Sequence, residues 1–204
     1  MRGGQVDRRS FLQGLSAVMA DMPTALHAAE TCTPLFCDVG IPNISVTPPQ
    51  QCQQWCWAAS IQAIFGLHGH HVNQQVIVQK LFGGLVCAPA TNVQMFAAIN
   101  GQWIDSNGQH FFAQTDVLYD PQFGISRPNT LSIMINELRA GNPMINGAVG
   151  HATVLTAIRY ANTPMGPKVI SATVRDPWPL NPNKRLLTPH EMMGASFIAR
   201  VVVY

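Results

Sequence analysis

Residues 50–60, Gln-Gln-Cys-Gln-Gln-Trp-Cys-Trp-Ala-Ala-Ser, change character at Cys56. Before it the chain is polar and rich in glutamine; after it an apolar run recurs at helical spacing. Ala59, Ala63 and Leu67 continue one face from Cys56, with Ile64 beside them, which predicts a buried helix with Cys56 in its first turn. Backbone N–H groups there lack intrahelical partners, and the helix dipole favours an anion. That environment stabilises thiolate over thiol, as a nucleophilic cysteine requires. Gln50 stands six positions before Cys56 (56 − 50), so its amide can curl back beside the thiol. With the Cys56 N–H it would form an oxyanion hole. Gln51, Gln53 and Gln54 are alternatives for that place, and Cys56 taken alone reads more often as a buried structural thiol.

The rest of the composition narrows the class of protein. A length of 204 residues fits one domain with a sizeable core. Charged residues make up 11% of the chain and hydrophobic ones 47%, against about 25% charged in an average protein. This is a compact globular composition. A net charge of +2 is too weak to imply a nucleic-acid partner or a polybasic membrane surface. No internal repeat, phosphate-cradling glycine loop or heptad run is present.

Read in order, residues 30–49 form a proline-rich arm, with Ile44, Ser45 and Val46 as a strand on a sheet edge. Helices are expected over 55–67, over 74–82 capped by Asn73, and over 92–100 capped by Thr91. The stretch 103–124 is aromatic and polar without clean periodicity. It reads as a crossing between lobes, with Trp103, Phe111 and Phe112 either as cleft walls or, equally, as ordinary surface packing. Another helix is expected over 131–140, stopped by Gly141 and Pro143. The pattern then turns to strand, at 144–149, 151–160 and 169–174, the last two joined by a turn near 162–167. Thr188-Pro189-His190-Glu191 is a capping box with proline at the first helical position, and 197–204 is a final strand. Helices first and antiparallel strands last predict an α+β fold.

His151 opens one strand of the expected hairpin and Asp176 closes the other. The reversal brings the two to the same end, where Asp176 can orient the imidazole. His151 would take the proton of Cys56 and later return it to a leaving amine. Taken singly, His151 also reads as a satisfied core histidine and Asp176, before Pro177, as a turn residue. His68, His70 and His71 lie in one loop, but no Asp, Glu or Cys accompanies them in sequence. They read as solvated histidines, and neither a metal nor a cofactor is expected.

These residues together resemble the papain-like cysteine peptidases, in particular the bacterial secreted and effector-type branch. That motif is a glutamine, five residues, then Cys-Trp-Ala on a helix N-terminus. Gly150-His151-Ala152 looks like the family's histidine motif. Asp176-Pro177-Trp178 resembles its Asn/Asp-x-Trp arrangement, in which the tryptophan shields the contact between orienter and histidine. The order Gln50, Cys56, His151, Asp176 follows the family along residues 30–204. The resemblance implies a two-lobed fold, with a helical N-terminal lobe carrying the nucleophile helix and an antiparallel sheet in the C-terminal lobe. It implies an endopeptidase acting on protein or peptide substrates through a thioester, without cofactor, as a monomer. A cell-wall peptide or amide hydrolase, an acyl transferase and a non-catalytic binding module remain alternatives on the same scaffold. Many papain-like enzymes link the segment before the nucleophile to a cysteine some tens of residues on. That implies a Cys52–Cys87 disulfide, although Cys52 is one position off the commonest site; Cys32–Cys37 would then close a small N-terminal loop.

Asp7-Arg8-Arg9-Ser10-Phe11-Leu12, followed by an apolar stretch, resembles a bacterial twin-arginine export signal. Residues 1–29 are therefore expected to be a signal and residues 30–204 the domain, exported to the periplasm or secreted. The apolar segment is short and broken by Asp21, so no stable membrane insertion is expected. The 5 cysteines are an odd number, which in an exported protein suggests two disulfides and one free thiol; a reducing compartment would leave all of them reduced. A mature chain of this length leaves little room for an inhibitory prodomain.

Overall fold

The computed structural model describes residues 28–42, 44 and 47–204. The expected export segment thus lies outside the described residues, apart from Ala28 and Ala29. Two short strands come first, β1 (Ala29–Cys32) and β2 (Cys37–Gly40). Three helices follow, α1 (Cys56–Leu67), α2 (Gln74–Phe82) and α3 (Asn92–Ile99). After them come β3 (Gly101–Ile104), β4 (His110–Asp120), β5 (Ile125–Ser126) and α4 (Thr130–Arg139). The chain ends with β6 (Met144–Ala148), β7 (His151–Thr163), β8 (Gly166–Arg175), β9 (Lys184–Leu186), α5 (Pro189–Met193) and β10 (Ala195–Val203). The fold is α+β, with every described strand pairing antiparallel in one sheet.

Strand β7 is the spine of that sheet. One of its edges pairs with β8 along most of its length. The other pairs with β6 over 151–155 and with β2 over 157–160. From β6 the sheet continues through β10 and β4 to β3. On one face α1, α2 and α3 pack through Trp57, Ile61, Phe65, Ile77 and Ile99 against Val154, Phe197 and Val201. On the other, Met134, Ile135 and Leu138 of α4 meet Leu155, Ile158 and Val174. Each such side chain contributes about 1.5–3 kcal/mol by leaving water. Helix α1 is the most enclosed: Ala58, Ala59, Ile61, Ile64 and Phe65 are essentially inaccessible.

The helices fall where the hydrophobic spacing and caps put them. Thr91 and Thr188 each form a capping box, with Gln94 and Glu191 respectively; Asn73 precedes α2 without a side-chain cap bond. The stretch 103–124 differs from expectation. It is a β-hairpin, β3 and β4, followed by a turn of 3₁₀ helix at Pro121–Phe123. Phe111 and Ala113 face the α1–α3 side while Leu118 faces α4. Burial alternates along β3 and the first half of β4, with Trp103 and Phe111 on the covered face, but the exposed face carries the apolar Ile104 and Phe112, which hides the alternation in the sequence. Trp103 and Phe111 are consequently core residues, stacked on each other and edge-on to Phe65. Phe112 is half-exposed beside Tyr204. None of the three lines the cleft described below, which corrects their assignment as cleft walls. The edge strand expected at 44–46 lies partly outside the described residues. Ile44 is buried outside any strand, and β2 takes the place beside β7. The β7–β8 hairpin is also longer than expected, pairing through Thr163 and Gly166. No helix among the described residues is long and apolar enough to cross a membrane.

Candidate active site

Cys56 is the first residue of α1 and the free cysteine among the described residues. The helix start is pinned from three directions. The indoles of Trp55 and Trp57 donate to the carbonyls of Val86 and Ala88, at 2.8 and 3.2 Å. Between these bonds Cys52 is joined to Cys87, with Cα atoms 6.0 Å apart. The second disulfide links Cys32 to Cys37 across the β1–β2 hairpin. Both pairings are those the resemblance implied. Because the 52–87 link and the two indoles hold residues 86–88 on the helix start, Pro89 and Ala90 become one wall of a cleft beside the thiol.

The opposite wall comes from the sheet. Ala152 and Val154 of β7 share the core with α1, which sets His151, at the strand's first position, beside Cys56. The cleft has a volume of about 80 Å³. In its lining the Phe197 ring packs directly against Gly147: a Cβ there would sit 2.0 Å from the ring. The turn between β6 and β7 places Val149 and Gly150 at φ 51° and 75°. Glycine adopts that left-handed conformation freely, whereas valine is strained in it.

His151 Nε2 is 2.7 Å from Asp176 Oδ1, which leaves Nδ1 for the thiol. Asp176 is buried, immediately after β8, and four donors hold it. Oδ1 accepts from His151 and from the Trp178 N–H; Oδ2 accepts from Asn181 Nδ2 and Arg185 Nε. Burial alone would raise this carboxyl's pKa; the bonds from His151, Trp178, Asn181 and Arg185 outweigh it and hold the pKa well below the ordinary range. Burial opposes the protonated form of His151, but its bonds and charge contacts with Asp176 and Cys56 raise its pKa to about 9. At Cys56, burial pushes the thiol up. The His151 hydrogen bond and charge, with the N–H groups of Ala152 and Trp57, bring it below its ordinary value. Both shifts favour a thiolate beside an imidazolium.

Gln50 sits close by without pointing an N–H at free space. It is buried, and its backbone N–H donates to Pro177 O, next to Asp176. Its Nε2 donates to the carbonyls of Cys52 and Gln53, at 2.9 and 2.7 Å, and its Oε1 is buried without a partner. In this state the Gln50 amide closes the turn that leads into α1. Of the four glutamines, Gln54 lines the cleft. Gln51 joins α2 through Gln74 and Gln75, and Gln53 is exposed.

The histidine loop acquires an acid that the sequence did not place there. Asp105, at the end of β3, lies 3.1 Å from His70 Nδ1 and accepts the N–H groups of Asn107 and Gln109. The His70 ring stacks on Phe111. This pair lies at the far end of α1 from Cys56.

Two residues in contact with Asp176 escaped the sequence reading, Asn181 and Arg185. Neither has a local signature; each matters because a tight connection folds the chain back over β8. Arg185 also grips Glu191 with two bonds, at 2.8 and 2.6 Å, and Glu191 closes the α5 capping box at Thr188. No family model matches this chain, and no curated protein matches it.

Proposed function

We propose that this protein is an exported cysteine endopeptidase of papain-like, two-lobed design. Cys56 Sγ attacks a peptide carbonyl, and the carbonyl π electrons move to oxygen, giving a tetrahedral oxyanion. As that intermediate collapses, the C–N bond breaks, and His151 delivers its proton to the leaving amine. A thioester remains on Cys56. Neutral His151 then takes a proton from water, whose oxygen attacks the thioester; the C–S bond breaks and the carboxylic acid leaves. Asp176 keeps the imidazole in the required tautomer and plane throughout.

The Cys56 N–H, at the head of α1, is one oxyanion donor. Gln50 supplies the second only if one Nε2–H swings from Cys52 O or Gln53 O into the cleft when substrate binds. The observation that carries the reading is the aligned series thiol, imidazole, carboxylate, drawn from three separate elements and ending in a carboxylate with every lone pair occupied. A core histidine needs a partner for its polar atoms, but not a thiol at a helix N-terminus on the other side.

The test is alkylation of Cys56 by iodoacetamide against pH, on chain lacking residues 1–29 with its disulfides formed. Rapid labelling well below the ordinary thiol pKa of about 8.5, slowed by His151→Ala, is expected. Hydrolysis of an unfolded protein, abolished by Cys56→Ala, is expected alongside. Labelling that rises only near the ordinary thiol pKa, and that ignores His151, would overturn the proposal in favour of a non-catalytic module.

A further inference from the structure

Asp176 carries an unusual companion. An arginine in contact with the carboxylate that orients a histidine works against it, because the cation draws off part of the negative charge that the imidazolium needs. Arg185 Nε is 2.6 Å from Asp176 Oδ2. Yet its two terminal nitrogens are turned the other way, onto the carboxylate of Glu191, at 2.6 and 2.8 Å. The Arg185 and Glu191 side chains are 16% and 15% exposed, so solvent screens them only in part.

We propose that the Arg185–Glu191 pair is a positioning and charge-setting device for Asp176, and through it for His151; the inference rests on the reading of Cys56, His151 and Asp176 as catalytic. Arg185 fixes the plane of the Asp176 carboxylate from the side opposite His151, while Glu191 neutralises the charge that Arg185 brings. Geometry and electrostatics are thereby separated: the fork of the guanidinium supplies direction, and the second carboxylate cancels the field. Only arginine can serve both acids at once, since a lysine ammonium lacks the planar fork. Glu191 is itself held by the N–H of Thr188 at the start of α5, so the device is anchored to the fold.

The other charged groups near this site are accounted for. Cys56 approaches from α1. Arg175, on β8, directs its guanidinium to Ile44 O and Asn183 Oδ1. Lys184 of β9 and His190 of α5 are exposed.

The two acids and the arginine predict shifts of opposite sign. In Glu191→Gln the full charge of Arg185 falls on Asp176, the imidazolium is less stabilised, and the His151 pKa drops. In Arg185→Gln Asp176 keeps its whole charge for His151, whose pKa rises, while the carboxylate loses one of its restraints. The experiment is the pH profile of Cys56 alkylation by iodoacetamide, with the alkaline limb reporting His151. Expected is a downward shift of about 1 pH unit in Glu191→Gln and an upward shift in Arg185→Gln. The double variant should return the limb close to that of the natural chain. Arg185→Lys, which keeps the charge and changes least in volume, should hold the limb nearly in place while labelling slows several-fold. A merely structural pair would slow labelling or lower stability without moving the limb in opposite directions. An intact thiolate–imidazolium pair in the natural chain, with limbs unmoved in Glu191→Gln and Arg185→Gln alike, overturns this inference alone. An ordinary thiol profile in the natural chain overturns it together with the proposed activity.

Discussion

His151 Nε2 and Asp176 Oδ1 lie 2.7 Å apart, although 25 positions separate them in the chain. The β7–β8 hairpin makes the connection. It runs antiparallel from Val154 opposite Arg175 to a turn between Thr163 and Gly166, so the residues just beyond its open end are neighbours. The contact raises the His151 pKa, and the surrounding donors depress that of Asp176.

Stability should follow those shifts. His151 gains a partner on folding, and its pKa of about 9 lies above the unfolded value of about 6.5. Its contribution is fully present below pH ~6.5 and is lost as pH rises toward 9. Asp176 is lowered, and Glu191 is lowered to about 2. Their contributions are present above the unfolded values of roughly 4 and are lost as pH falls toward the folded ones. Cys56 is lowered, so its contribution grows as pH rises toward the unfolded thiol value of about 8.5 and offsets the loss at His151. Urea unfolding should therefore give a broad plateau from about pH 5 to pH 8.5, with a decline on either side. In His151→Ala the decline on the alkaline side should largely disappear.

Removing the orienter should damage fold and activity together. Asp176→Ala leaves the Arg185 guanidinium without one of its two acids and His151 without a restraint. A loss of about 3 kcal/mol or more is expected from a broken buried pair, with kcat lower by up to about 10⁴. Asp176→Asn keeps the shape and should retain more stability than Asp176→Ala at a similar cost in kcat. Equilibrium unfolding beside peptide hydrolysis separates the two effects.

The two disulfides should differ in weight. Cys52 and Cys87 are 35 positions apart, Cys32 and Cys37 only 5. Loop-closure entropy assigns about 4 kcal/mol to the first and about 2 kcal/mol to the second. A paired Cys52→Ala, Cys87→Ala variant should also loosen the Pro89–Ala90 wall of the cleft. Thermal unfolding should show the larger loss in that variant, and alkylation of Cys56 should lose its dependence on His151 there first.

Val149 is strained at φ 51° and 52% exposed. Val149→Gly or Val149→Asn removes a β-branched side chain from a left-handed position with little burial to lose. A gain of about 1 kcal/mol is expected, read as a rise in Tm. If Val149 contributes only to the turn, peptide hydrolysis will be unchanged; a fall would mark it as a substrate contact at the cleft rim.

The sequence by itself determined the parts of this protein that depend on neighbours along the chain. The apolar spacing from Cys56 defined α1, Thr91 and Thr188 carried their own capping partners three residues on, and the strand pattern around 151–175 implied the hairpin that joins His151 to Asp176. Local hydrogen bonding and hydrophobic periodicity act over a few residues, so they are legible there. The tertiary structure decided what depends on who covers whom. Strands β3 and β4 carry apolar side chains on both faces, and only packing against the helices decided that Trp103 and Phe111 enter the core while Ile104 and Phe112 stay exposed. Asp105 reached the histidine loop only through β3. The Gln50 amide turned to the carbonyls of its own loop, a choice among competing partners that spacing cannot rank. Arg185 and Asn181 meet Asp176 because the connection after β8 folds back. Side-chain polar groups find partners by proximity in space, and nothing in the order of residues 176–191 encodes which carboxylate a guanidinium will share.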